Sequence, residues 1–169
     1  MKCNARVADL RDLPLVQECV EQAYRPYVAA LGYEPAPLRA DYGDLLRTGV
    51  TRILETPEGE MMGLVVFFEE PGCLLVDNVA LFPKWQRRGV LVEVFVQGVA
   101  EARRRGFRYV RCFTNEKLKR NILFYQKLGF EISHREDLGD RVAIHLRLDT
   151  ESLSERGIGG WLLARRVGA

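Results

Sequence analysis

Leu81-Phe82-Pro83-Lys84-Trp85-Gln86-Arg87-Arg88-Gly89-Val90-Leu91, running on to Gly106, is the stretch that decides the architecture. Leu81-Phe82-Pro83 ends a strand, and Gln86-Arg87-Arg88-Gly89 is a basic turn. An amphipathic helix then spans about Arg88 to Arg105 and is closed by Gly106. Val90, Leu91, Val94, Phe95, Val99 and Ala102 recur at helical spacing and form its expected buried stripe. Gly98 in mid-helix costs about 1 kcal/mol against alanine, which close packing on a sheet would explain. A helix start flanked by arginines and a glycine suits phosphate. Its first-turn N–H groups have no acceptor inside the helix, and the positive end of the dipole lies there.

The segments on either side supply that sheet. Thr51–Glu55, Met61–Glu69 and Leu74–Leu81 are rich in β-branched and aromatic residues, and turn signals separate them at Pro57-Glu58-Gly59 and Pro71-Gly72. They read as three consecutive antiparallel strands. Downstream, Phe107–Phe113 is a further strand. Asn115 is placed to cap a helix from Glu116 to Leu128 that Gly129 terminates. Phe130–Arg135 and Arg141–Leu148 form a hairpin around Leu138-Gly139-Asp140.

Upstream, Asn4–Val7 reads as a first strand and Asp9 as a helix cap. Leu13, Val16, Val20, Ala23, Tyr24 and Tyr27 then recur at helical spacing. Pro26 either kinks this helix or begins a second one. Glu34-Pro35-Ala36-Pro37 is expected to be extended, and a short helix to cover Asp41–Arg47. The element order predicts an α/β (α+β) fold, a mixed and mainly antiparallel sheet with helices on its faces. Residues 1–149 form one domain. The tail, 150–169, is expected to be loosely attached or disordered, with Trp161 to Leu163 as a segment able to dock.

Composition narrows the function. Twenty-five Lys and Arg against 23 Asp and Glu leave a formal charge of +2, so bulk charge predicts no nucleic-acid partner. Arg103 to Arg105 read as a solvated helix face, whereas Arg87 and Arg88 beside Gly89 read as phosphate ligands. The four cysteines lie far apart without zinc spacing, which suits a reducing compartment and predicts neither disulfide nor metal. No signal segment or membrane-length apolar run is present, so a cytoplasmic protein without a membrane partner is expected. The Walker ending is absent and only Gly89 is available for a dinucleotide fingerprint, so the common nucleotide motifs do not apply. His134 and His145 are assigned no role.

Asp77-Asn78-Val79-Ala80-Leu81-Phe82-Pro83-Lys84-Trp85-Gln86-Arg87-Arg88-Gly89-Val90 resembles the signature of the GNAT superfamily of acetyl-CoA-dependent N-acetyltransferases, whose core is Gln/Arg-x-x-Gly-x-Gly/Ala after a strand. Thr114 to Leu118, Asn121 and Phe124-Tyr125-Gln126-Lys127-Leu128-Gly129-Phe130 resemble its second signature. The likeness covers roughly residues 4–148. Ala23-Tyr24-Arg25-Pro26-Tyr27-Val28, Glu34 to Pro37 and Ala40-Asp41-Tyr42 further resemble a subgroup often left without an assigned substrate.

The resemblance implies acetyl-CoA as acyl donor and a primary amine, on a small molecule or peptide, as acceptor. It places the pyrophosphate on the main-chain N–H groups of Arg87, Arg88, Gly89, Val90 and Leu91, with Gln86 in the same motif. The pantetheine arm would pair like an added strand around Val79, Ala80 and Leu81. Tyr125 matches the general acid that protonates the departing sulfur, since ordinary phenol and thiol pKa values of about 10 and about 8.5 permit that transfer. Asn121, one turn earlier, could hold the arm or orient the phenol. Asp77, Glu69 and Glu70 are the candidate bases, with Asp77 put forward. Tyr24, Tyr27, Asp41 and Tyr42 are expected to line the acceptor pocket, and a homodimer is open. Leu91 departs from the pattern's glycine or alanine, which implies a reshaped CoA loop. The alternative is a non-catalytic acyl-CoA-binding or regulatory module of the same fold.

Overall fold

The computed structural model describes residues 3–151 together with Ile158 and Gly160. They fall into two compact units. One holds the chain up to Phe68 with Asp77–Glu93, and the other holds Glu69–Val76 with Val94 onward.

The first unit begins with β1, Asn4–Val7, and a reciprocal cap. The Asp9 carboxylate accepts the Arg11 N–H at 2.8 Å, and Asp12 accepts the Asp9 N–H at 2.9 Å. Arg6 then holds both oxygens of Asp12, at 2.7 and 2.8 Å, which fixes the strand against the helix start. α1 follows as Leu13–Tyr24, burying Val16, Cys19, Val20 and Ala23. Pro26 begins a second helix, α2, Tyr27–Leu31. Asp41 caps α3, Tyr42–Arg47, by accepting the Asp44 N–H at 3.0 Å. The buried faces of α1 and α3 meet Ile53, Leu64, Val66 and Ala80 in one apolar cluster. Each fully buried aliphatic side chain there contributes roughly 1.5–3 kcal/mol.

Seven strands form one mostly antiparallel sheet in the order β1-β2-β3-β4-β5-β7-β6. β2 is Thr51–Glu55, β3 Met61–Glu70, β4 Cys73–Leu81, β5 Tyr109–Asn115, β6 Glu131–Asp137 and β7 Val142–Asp149. β2 runs antiparallel to β1 and β3, and β7 to β5 and β6. β4 and β5 are parallel, as a crossover through α4, Val90–Arg104, requires. α5 spans Lys119–Lys127. In the second unit Phe95, buried from α4, meets Phe130 edge to face at 5.2 Å.

The fold class is the one the sequence predicts, and several local expectations are corrected. Glu34 to Pro37 is not extended throughout: a 3-10 turn covers Ala36–Arg39, because Pro37 needs no donor in a first turn and its ring fixes a helical φ. α5 starts at Lys119 and not Glu116, and Asn115 does not cap it. Asn115 remains in β5, paired with Ala143, and its side chain accepts the Lys117 N–H at 2.8 Å. Leu91 is half-buried and outside the core stripe of α4. Most of the tail, including Trp161 to Leu163, lies outside the described residues. Within it Ile158 is buried, its N–H donating to the Leu128 carbonyl at 3.2 Å. Among the described residues, no helix is long and apolar enough to cross a membrane.

Candidate active site

The strand that carries the first motif is only partly paired. β4 and β5 are in register from Cys73–Tyr109 to Val76–Cys112, and there their ladder stops. β4 continues to Leu81. Phe82 donates its N–H to Met62 of β3, and successive residues of a strand turn their main-chain groups to opposite edges. The Tyr109 N–H donates to the Gly72 oxygen, which turns Leu74 and Val76 toward β5, so the alternation is broken between Val76 and Phe82. Beyond Val76 the strand has N–H and C=O groups outside the ladder with β5, and an extended ligand can pair with such groups.

Two carbonyls in this last part of β4 are met by side chains. Gln86 Nε2 donates to the Leu81 oxygen at 3.0 Å, which draws the basic turn onto the end of the strand. The Tyr24 hydroxyl, at the end of α1, lies 3.0 Å from the Val79 oxygen.

The turn itself is built from two left-handed residues. Arg87 has φ 59° and Gly89 has φ 82°. The first is uncommon for a residue with a Cβ and holds local strain; the second is a conformation that glycine adopts freely. Nothing lies within 4 Å of where a Gly89 Cβ would stand, so the space above the loop is open. Glu93 is the first α4 residue to close a helical turn, its N–H donating to the Gly89 oxygen at 3.1 Å. The N–H groups ahead of it are left for another acceptor. Turned by the two left-handed residues, they form the concave nest that suits an anion. Arg87, Arg88 and Gly89 are exposed, Val90 is buried, and the Arg88 guanidinium stands 5.6 Å over the Trp85 ring. These groups fit a diphosphate.

Two of the four predicted acceptor residues, Tyr24 and Tyr42, meet at Asn78, a side chain not singled out above. Asn78 is buried; its Oδ1 accepts from the Tyr24 hydroxyl, and its Nδ2 donates to the Tyr42 hydroxyl at 2.9 Å. A buried asparagine can keep its amide only when such partners satisfy it. An amide in a run of apolar strand residues was the available sign. Tyr42 lies in the apolar cluster, where burial pushes its phenol well above the usual range. Tyr27 is half-buried, its ring 6.3 Å from that of Tyr24. Asp41 is exposed and caps α3, apart from this network.

Of the three candidate bases, Glu69 is paired with Arg105, and Glu70 with Arg111 at 2.5 Å. Asp77 is half-buried, and loss of solvent raises its carboxyl above the ordinary range. Tyr125, half-buried in the second unit, is surrounded by Phe95, Phe124 and Phe130 at 5.5, 5.6 and 6.0 Å between ring centroids. Asn121 reaches Thr114 Oγ1 at a long 3.5 Å. Among the described residues, no three His, Cys, Asp or Glu gather where they could hold a metal ion.

A family model described as the acetyltransferase (GNAT) family matches residues 16–130. No curated protein sequence matches the chain. Among solved structures, the PaiA N-acetyltransferase from Thermoplasma acidophilum, in complex with coenzyme A, superposes with a TM-score of 0.70 at 12% identity, covering 86% of this chain and 98% of that one. The acetyltransferase (GNAT family) from Bacillus anthracis gives 0.71 at 11%, covering 90% and 97%. The ribosomal-protein-S18-alanine N-acetyltransferase from Escherichia coli gives 0.67 at 16%, covering 91% and 97%. At these identities the structural likeness speaks for the fold.

Proposed function

The chain belongs to the acetyltransferase (GNAT) family, and from that premise we propose that it moves an acetyl group from acetyl-CoA to a primary amine of a small molecule or peptide. The observation that carries this reading is the pairing of an anion nest at Arg87–Gly89 with a β4 strand that runs on to Leu81 past the end of its ladder with β5. The first would hold a diphosphate, and the second a secondary-amide arm running on from it. Val90 and Leu91 add first-turn N–H groups, and Leu91, being half-buried, does so without losing its backbone donor.

The reaction is direct attack. The amine nitrogen forms a bond to the thioester carbonyl carbon and the C–S bond breaks. The amine proton passes to Asp77, directly or through water, and Tyr125 gives its proton to the leaving sulfur. Main-chain N–H groups at the end of β4 would stabilise the oxyanion. All four cysteines are buried, and burial raises their thiols, so none of them is a carrier for the acyl group. Tyr24 and Tyr27, with Tyr42 behind Asn78, are the acceptor side, and Asp41 holds α3 in place. A cytoplasmic setting and a homodimer belong to the same proposal.

Release of CoA measured across a panel of polyamines, amino acids, aminoglycosides and peptide N-termini tests it, with Tyr125→Phe alongside. Amine-dependent release that the substitution abolishes supports the enzyme. CoA binding with no turnover on any amine supports a binding module instead.

A further inference from the structure

Trp85 closes the 3-10 turn Pro83–Trp85, just ahead of the Arg87–Gly89 nest and in the same compact unit. Its main chain is pinned. The Trp85 N–H donates to the Phe82 oxygen at 2.9 Å, and the Gln86 N–H to the Pro83 oxygen at 3.3 Å. Its side chain is not satisfied: the indole Nε1 is buried, and among the described residues its proton has no acceptor. No other buried side-chain nitrogen or oxygen among the described residues is left in that state. A buried indole N–H ordinarily finds a partner, because an unpaired donor gives up water and gains nothing in return.

Two cations stand at the same ring. Lys84 Nζ is 6.0 Å from its centroid and is already paired with Glu60. The Arg88 guanidinium is 5.6 Å from the centroid on an exposed residue, and among the described residues no carboxylate pairs with it. Stacking on the ring restrains that cation and leaves its N–H groups for an acceptor. An orphan donor and an unneutralised guanidinium thus share one indole beside a nest of main-chain N–H groups. All three suit the same partner, an anionic oxygen.

We propose that Trp85 is a phosphate-binding residue of the donor site, its indole N–H kept for a phosphate oxygen and its ring holding Arg88 on the same anion. This rests on the acetyltransferase reading above and adds a side-chain donor to the main-chain nest. The Nε1 atom is covered in the free protein, so the acceptor reaches it as the turn re-seats. The turn is built to do so: Arg87 to Gly89 are exposed, and Arg87 holds a strained φ of 59°. Seating the anion relieves the unpaired donor, and that relief adds to affinity. CoA carries phosphate twice, as a diphosphate and as a 3′-phosphate, and 3′-dephospho-CoA separates the two.

Trp85→Phe keeps an aromatic ring beside Arg88 and removes the N–H. Calorimetry should then show CoA binding about ten- to a hundred-fold weaker, the scale of a hydrogen bond to a charged group. With the diphosphate as acceptor, 3′-dephospho-CoA loses the same factor; with the 3′-phosphate as acceptor, it binds both proteins alike. In the wild-type protein the Trp85 indole N–H resonance should move downfield on adding CoA and exchange more slowly with water. The chain has one other tryptophan, Trp161, so Trp161→Phe assigns that signal even where Trp85→Phe does not fold. A folded Trp85→Phe protein that binds CoA as tightly as wild type overturns the proposal, and so does an indole resonance that CoA leaves in place. Either result, with CoA still bound by the wild type, leaves the acetyltransferase reading standing. If the wild type binds no CoA, that reading fails first and the role of Trp85 falls with it.

Discussion

Phe95 meets Tyr125 edge to face, with ring centroids 5.5 Å apart and planes inclined by 76°. Phe95 is fully buried, and its other neighbour, Phe130, is also edge-on at 5.2 Å. Such contacts hold a ring by its body. Tyr125→Phe keeps the body and removes only the hydroxyl. Expected are an unchanged CoA dissociation constant and a kcat lower by about 10²–10⁴, the usual scale for losing a general acid. Steady-state kinetics beside a thermal melt decide it. A kcat within about two-fold of wild type, well below that scale, would remove Tyr125 from the mechanism.

The turn before α4 makes a different prediction. Gly89 holds φ 82° with open space around it, so alanine there meets no clash but disfavours the left-handed backbone by about 1–2 kcal/mol. The loop is exposed and would relax to another conformation, turning its N–H groups off the anion. Gly89→Ala should weaken CoA about ten-fold, in line with that cost, and leave the melting temperature nearly alone. A calorimetric affinity equal to wild type would show that the nest is not the phosphate site.

These two sites differ in how much of them the sequence carried. The turn was legible because its chemistry is local: arginines, a glycine and a helix start stand within a few residues. Tyr125 was legible through its motif. Asn78 was not, because its value comes from Tyr24 and Tyr42, which lie 54 and 36 residues away. The end of the β4–β5 ladder at Val76 was equally hidden, since it is set by pairing with a strand distant in sequence. Asn115 misled for a tertiary reason: it has the chemistry of a helix cap, but pairing with Ala143 keeps it in the strand. Leu91 has the apolarity of a core residue yet is only half-buried, while Val90 beside it is buried.

Burial raises the carboxyl of Asp77, and this has a sign that can be checked. The folded protein binds that proton more readily than the unfolded chain. Asp77 therefore supports stability below the ordinary aspartate range, and the support is lost as pH rises through its higher folded value. Asp77→Asn should make the protein more stable at neutral pH and flatten this part of the stability profile. If Asp77 is also the base, the acidic limb of kcat/KM sits above the ordinary aspartate range in the wild type and disappears in the variant, with activity reduced throughout. A variant that is stabilised yet keeps full activity and its acidic limb would leave Asp77 a buried acid and no base.

The cysteines give a test of the native core that also bears on the assay. Loss of solvent, with Glu93 nearby, raises Cys3 to about 11, and burial raises Cys19 to about 12; Cys73 and Cys112 are shifted the same way by burial. Thiolate is the reactive form, so a disulfide reagent at pH 8 should find no fast-reacting thiol in the folded protein and all four in guanidinium. Rapid native labelling of even one would contradict this burial. The expected silence also allows released CoA to be read with the same reagent.

Gly63 supplies the sharpest structural prediction. It lies in β3, and a Cβ there would stand 2.1 Å from the Ala80 carbonyl oxygen and 2.9 Å from the Leu81 Cα. Both are backbone atoms, so no side chain can swing aside to make room. Gly63→Ala must push β3 and the end of β4 apart, and overpacking of this kind costs about 1–3 kcal/mol or more. The displaced segment is the end of β4 that leads into the Arg87–Gly89 turn, so CoA affinity should fall together with the melting temperature. Gly89→Ala, by contrast, should lower affinity alone. Chemical denaturation and calorimetry on the two variants distinguish a defect in the strand from a defect in the loop, and a Gly63→Ala protein as stable as wild type would refute the close approach of β3 and β4.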